Sequence, residues 1–114
     1  AWTACRLEHA SKLVSIEAQC TTLRVPEDEA RPDGRQIALF IARVPAVSGR
    51  KAPDPLLLIA GGPGMGASEM YPGVAQAFAR TRRERDILIV DQRGTGRSDA
   101  LRCDSEGAPD ANAD

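Results

Sequence analysis

The stretch PLLLIAGGPGMGASEMYPG, Pro55 to Gly73, passes from an apolar run through a glycine-rich turn into a segment of helical character. Leu56 to Ala60 is apolar at every position, as expected of a strand covered on both faces in a parallel sheet. Pro72 is tolerated in a first helical turn, and Val74 with Phe78 makes an apolar stripe at helical spacing, which reads as core. Arg80, Arg82, Arg83 and Arg85 collect where this helix should end, where positive charge suits the carbonyl end of the dipole; a solvated cap explains them better than a binding patch. Ile87 to Val90, ILIV, is the next buried strand. The order is strand, turn, helix, strand, which is one βαβ crossover.

Working outward, CTTLRVPED from Cys20 reads as a short strand broken at Pro26, and EDEARPDG as a turn. RQIALFIARVPA is a longer apolar strand stopped by Pro45, so the two strands form an antiparallel hairpin. AVSGRKAPDP reads as a solvated connection, and no internal repeat is present. The fold class expected is α/β: an antiparallel hairpin followed by a βαβ crossover of a mostly parallel sheet. The tail DSEGAPDANAD is acidic, small and aperiodic, and reads as a mobile loop.

A chain of 114 residues makes one small domain or a piece of a larger one. Its 15 basic and 16 acidic side chains nearly cancel, so no global field favours nucleic acid or an anionic membrane. No apolar run approaches the roughly 18 residues of a membrane helix, and no signal-peptide pattern opens the chain. Ala1 in place of Met suggests a processed or cut chain, and a removed export signal is compatible with that.

Cys5 and Cys20 bracket a short, mostly polar segment, with Cys103 alone far downstream. A bond closing a loop of about 15 residues constrains the unfolded chain by about 3 kcal/mol in the entropy model, and suits an exported protein. A disulfide ranks first, free thiols second, and a metal site of Cys5, His9 and Cys20 third, because three ligands lack a fourth at recognisable spacing.

Two chemistries compete for the first glycine turn. As a dinucleotide site, Gly62 to Ala67 fits G-x-G-x-x-G/A between strand and helix, and Asp91 ends the next strand where a ribose-binding carboxylate belongs. Against this, Pro63 deletes an N–H from a loop meant to offer such donors, and a hairpin precedes what should be the first strand. A Walker loop is excluded, since no Gly-Lys-Ser/Thr follows. As a hydrolase turn, the same residues aim one backbone N–H, assigned here to Gly62, at the oxygen that becomes negative when a nucleophile attacks a carbonyl. Pro63 then stiffens the turn at no cost in donors.

The second glycine turn, DQRGTGRS from Asp91 to Ser98, has no role in the nucleotide reading. With it, the sequence resembles the proline iminopeptidase and tripeptidyl aminopeptidase families of α/β-hydrolases. Those families carry a Gly-Gly-Pro-Gly oxyanion turn and then an Asp-x-Arg-Gly-x-Gly-x-Ser turn. Gly61, Gly62, Pro63 and Gly64 match the first, and Asp91, Arg93, Gly94, Gly96 and Ser98 the second. Upstream, CTTLRVPEDEARPDG looks like the families' opening segment, and Trp2 and Cys5 sit as in the secreted tripeptidyl branch. The resemblance covers the chain to Cys103; it departs at Ala60, where many relatives have His.

The resemblance implies that residues 1–103 are the N-terminal part of an α/β-hydrolase domain, with 104–114 a mobile loop or truncated end. It implies a secreted or periplasmic serine aminopeptidase that needs no cofactor and acts on peptides or small esters and amides. Acyl transfer would use a downstream triad, with Gly62 as one oxyanion donor. Ser98 lacks the G-x-S-x-G elbow of a nucleophile, and His9 lies upstream of where the triad histidine belongs, so the triad is not in this chain. A charge pair of Asp91 with Arg93 holding the turn is preferred to substrate contact. By the same resemblance, Cys103 finds its partner beyond Asp114. A dinucleotide module, an esterase-type α/β-hydrolase, and a piece that only binds or assembles with another chain remain the alternatives.

Overall fold

The computed structural model describes residues 1–9, 11–61 and 64–101. Five strands form one mixed sheet: β1 (Thr3–Glu8), β2 (Ser15–Pro26), β3 (Gln36–Val44), β4 (Leu56–Leu58) and β5 (Ile87–Val90). Their order is β1-β2-β3-β5-β4. The β1/β2, β2/β3 and β3/β5 pairs are antiparallel, whereas β4 and β5 are parallel. Helix α1 (Ala67–Val74), a 3₁₀ turn (Ala75–Phe78) and helix α2 (Ala79–Glu84) connect β4 to β5. The hairpin and the βαβ crossover therefore belong to one partial α/β sheet.

The two-residue period of the strands selects one face for the core. Leu7, Ala18, Cys20, Phe40, Ala42, Val44, Ile87 and Ile89 are buried together, and Ala67 and Tyr71 of α1 cover them. Tyr71 is 1% exposed and its ring meets Phe78 at 5.8 Å between centroids; burial pushes its phenol above 10.0, so it stays neutral. On the opposite face, Leu57 is 55% exposed and Ile59 48%.

The strand LLLIA accordingly differs from the expectation of cover on both faces. Only Leu56 to Leu58 are strand, and β4 lies at the sheet margin with no partner on its outer edge among the described residues. Val74 also departs from its assignment to the core: at the last residue of α1 it is 39% exposed. Phe78 does pack partly against the core. Pro72 falls at the sixth residue of α1 rather than in its first turn, because the helix begins at Ala67; α1 gives way to the 3₁₀ turn soon after.

Strand β1 and the first half of β2 build the short, mostly polar segment around Cys5 and Cys20 into the sheet. Its signal is plain period-two alternation: Ile16, Ala18 and Cys20 alternate with Ser15, Glu17 and Gln19. Cys5 and Cys20 form a disulfide across this pair, with Cα atoms 5.9 Å apart. The bond displaces the free-thiol reading and consumes two of the three residues of the zinc alternative. Among the described residues no His, Cys, Asp and Glu cluster could hold a metal, and no helix is long and apolar enough to cross a membrane.

The connection from β3 to β4 does more than span solvent. Val47, Ser48 and Ala52 donate backbone N–H groups to the carbonyls of Arg82, Arg83 and Glu84, satisfying the open end of α2. Arg82 donates to the Pro45 carbonyl, and Arg85 pairs with Asp54, so part of the arginine cluster clamps this connection. Asp86 anchors the same segment from below, accepting from Ala46 N–H and Lys51 Nζ, each at 2.7 Å.

The Lys51 contact, followed by the Ala46 N–H, holds the Asp86 carboxyl below its ordinary value against the opposing effect of burial. A carboxylate with a depressed folded pKa contributes stability that is complete well above 3.8 and is lost as pH falls through the folded value. In the full-length protein, Lys51→Met should therefore cost most stability near pH 7, with the loss shrinking as pH falls through the folded Asp86 value, and should move the acid-unfolding midpoint to higher pH. An acid titration followed by circular dichroism, comparing the variant with the parent, measures this; an unshifted midpoint would contradict it.

Candidate functional site

Both glycine turns leave the carboxyl ends of adjacent parallel strands, the first after β4 and the second after β5. The second begins at Asp91, which is wholly buried. Its backbone extends the β3–β5 pairing by one step: the Asp91 N–H donates to the Phe40 carbonyl at 3.1 Å. Ser98 closes the next position, its hydroxyl donating to the Asp91 carbonyl and accepting from the Phe40 N–H, both at 2.7 Å. With 1% exposure and both hydrogen-bonding roles taken, that hydroxyl is unsuited to attack a substrate.

The Asp91 side chain points back toward the first turn. Oδ1 accepts from the Ser68 N–H at 2.8 Å, and Oδ2 accepts from the Ser68 hydroxyl at 2.7 Å and the Arg97 N–H at 3.0 Å. Ser68 is the second residue of α1, so the carboxylate occupies the N-terminus of that helix, where open N–H groups and the dipole favour negative charge. Gly66, the N-cap, has no side chain to supply this oxygen; Asp91 supplies it from a neighbouring strand. Glu69 reaches back to the Gly66 N–H at 3.3 Å, the other half of a capping box.

Glycine is required where the turns meet. A Cβ on Gly66 would lie 2.8 Å from the Gly96 Cα and 2.9 Å from Asp91 Oδ1. A Cβ on Gly96 would run into Asp91 Oδ2, and Gly96 also has φ +50°. The second turn is closed on itself by Gly94 N–H to the Ser98 carbonyl and Ser98 N–H to the Thr95 carbonyl, both at 2.8 Å.

The expected pair of Asp91 with Arg93 does not form. Arg93 is exposed and donates to the Glu27 carbonyl at 2.8 Å, tying the second turn to the β2–β3 loop, while no cationic side chain lies within ion-pair distance of Asp91 among the described residues. Backbone amides and a hydroxyl serve the carboxylate better, since they point inward from a space that a guanidinium would not fit. Arg97, which the sequence reading did not single out, links three elements: its N–H reaches Asp91, its guanidinium lies 4.8 Å from the Phe40 ring centroid, and Nη2 donates to the Arg6 carbonyl at 3.1 Å. Its place inside the motif offers no signal for these contacts, which depend on β1 and β3.

The dinucleotide alternative fails on the same geometry. It needs Asp91 free to receive a ribose hydroxyl and the α1 N-terminus free to receive a pyrophosphate, yet each fills the other. Gly61 and Gly64 flank the candidate oxyanion donor, and Gly64 takes φ +102°. Gly62 and Pro63 themselves lie outside the described residues, as do Cys103 and the tail. A cavity of about 200 Å³ between the β2–β3 loop and the second turn is lined by Glu27, Arg35 and Arg93 and by no described residue of the first turn.

Comparison with known proteins agrees on the class of chemistry. No family model matches the chain. It is 39% identical over 113 residues to carboxylesterase B of Mycobacterium tuberculosis and to a hydrolase of Mycobacterium bovis. It is 37% identical over 111 residues to serine protease Hip1 of Mycobacterium tuberculosis. These matches take in 96% of the chain but 21% of each relative, so the chain spans about a fifth of the length of the proteins it resembles.

The interlocked turns make a stability prediction. In the full-length protein, Gly96→Ala should lose about 2 kcal/mol or more, through the collision with Asp91 and the strained φ. Gly49→Ala, where nothing lies within 4 Å of the new methyl group, is the control and should be close to neutral. Urea unfolding of both variants gives the comparison, and equal midpoints would count against the packing described.

Proposed function

We propose that the chain is the N-terminal part of an exported serine hydrolase, an aminopeptidase that releases proline or short peptides from peptide N-termini. The observation that carries this reading is the pair of glycine turns locked together at the carboxyl ends of two parallel strands. That is where open α/β sheets place their ligands, and the anion site at the helix N-terminus is already filled from within. What the first turn can still offer is a single preset N–H, from Gly62, to an oxygen that gains charge as an acyl group is attacked. The nucleophile, general base and orienting carboxylate then belong to the remainder of the polypeptide, in a domain of which residues 1–103 form the beginning. The similarity to a serine protease and a carboxylesterase supports acyl transfer; the disulfide is compatible with export. An esterase built on the same sheet is the second reading, favoured by the relative named carboxylesterase B.

In the complete enzyme, Gly62→Val should crowd the turn, displace its N–H and lower turnover by about a hundredfold or more, the usual scale for an oxyanion donor. Parallel assays on aminoacyl, tripeptidyl and simple ester reporters separate the two readings: an aminopeptidase prefers the first two. A folded Gly62→Val enzyme with parental turnover would remove that turn from the mechanism.

The uncovered strand edge of β4 and the exposed Leu57 and Ile59 also support a larger sheet, since an open apolar edge invites aggregation. Residues 1–114 alone should show no reaction with a serine-directed fluorophosphonate. Stoichiometric labelling would place the nucleophile within this chain.

A further inference from the structure

We propose that Asp91 is a positioning residue for the oxyanion turn, acting as a helix cap supplied from the neighbouring strand. The inference rests on the hydrolase reading above and adds to it the group that sets the donor in place. An N-cap ordinarily offers its own side-chain oxygen to the second or third N–H of the helix. Gly66 has none, and the 2.8 Å approach of Gly96 leaves no room for one. Asp91 Oδ1 takes the Ser68 N–H in its place, while Oδ2 holds the Ser68 hydroxyl and the Arg97 N–H of the second turn.

The consequence lies in what this carboxylate is attached to. Asp91 is pinned by a backbone bond to Phe40 and by the Ser98 hydroxyl, so its side chain is anchored to the end of the sheet. The last residue of the glycine turn is fixed to α1 by its carbonyl, which accepts from Glu69 and Met70, and by its N–H, which donates to Glu69. A sub-ångström shift of α1 at Ser68 therefore moves the end of the turn that carries the donor. Preset donors lose most of their effect when they must reorganise during the reaction. An amide at position 91 cannot substitute, because both oxygens already accept N–H groups and an NH₂ would face one of those donors.

The test uses the full-length enzyme. Asp91→Asn should lower kcat by about thirtyfold with KM within about twofold of the parent, after rates are scaled to the fraction of protein that is folded by near-ultraviolet circular dichroism. Ser68→Ala, which keeps the Ser68 N–H bond to Oδ1, should lower kcat by about threefold to tenfold on the same criterion. Gly62→Val is measured alongside. If Gly62→Val is impaired but Asp91→Asn turns over at the parental rate per folded molecule, the positioning role is overturned and the hydrolase reading stands. If Gly62→Val itself turns over normally, the oxyanion reading falls and this proposal with it. Where Asp91→Asn yields no folded enzyme, Ser68→Ala decides, and an unchanged kcat overturns the proposal.

Discussion

A buried carboxylate with no cation beside it among the described residues organises this chain. Removing Asp91 from water would be costly without compensation, and the compensation comes from one hydroxyl and two backbone amides, on Ser68 at the start of α1 and on Arg97 in the second turn. The positive end of α1 adds to them. Each donor must converge on one point, so the two turns have to approach until their backbones touch. That approach demands glycine at 66 and at 96, and it fixes where α1 begins. The crossover from β4 to β5, the hydroxyl bridge of Ser98 and the link of Arg97 to β1 follow from the same point.

From that centre the sheet divides by face. Toward α1 the inward residues of all five strands make one core, and the disulfide fastens β1, at the opposite margin of the sheet from β4, to β2. On the other face β4 and β5 carry aliphatic side chains that α1 does not cover, and among the described residues β4 ends the sheet with an unpaired edge. A sheet finished on one side only is well suited to hold turns in position and poorly suited to stand alone. The proposed division of labour, in which this segment presets an oxyanion donor and the rest of the polypeptide brings the nucleophile, is in keeping with that asymmetry.

The arginines show how polar residues inside a single motif separate by role. Arg93 and Arg97 are four residues apart in the second turn, and both guanidiniums point outward to backbone carbonyls of other elements, Glu27 and Arg6. Neither neutralises Asp91. A planar group with five donors bonds well to a surface carbonyl and stacks on Phe40, but the space around Asp91 admits only backbone and a small hydroxyl.

Local chemistry was legible directly in the residues. Apolar runs at Ile37 to Val44 and Ile87 to Val90 marked strands, Pro45 and Gly34 marked their limits, and the glycines marked turns at strand ends, because each of these signals acts over a few residues. The alternation through Cys5, Leu7, Ile16 and Ala18 is equally local, its inward residues separated by polar ones. What tertiary structure alone decided is which groups meet. Asp91 and Ser68 are 23 residues apart, and Phe40 and Ser98 are 58 apart, and no spacing rule joins them. An acid followed two residues later by an arginine suggests an ion pair; the folded chain instead turns the acid inward to amides and the arginine outward. Burial made that choice, since a buried charge is satisfied by whatever donors the packed backbone can aim at it.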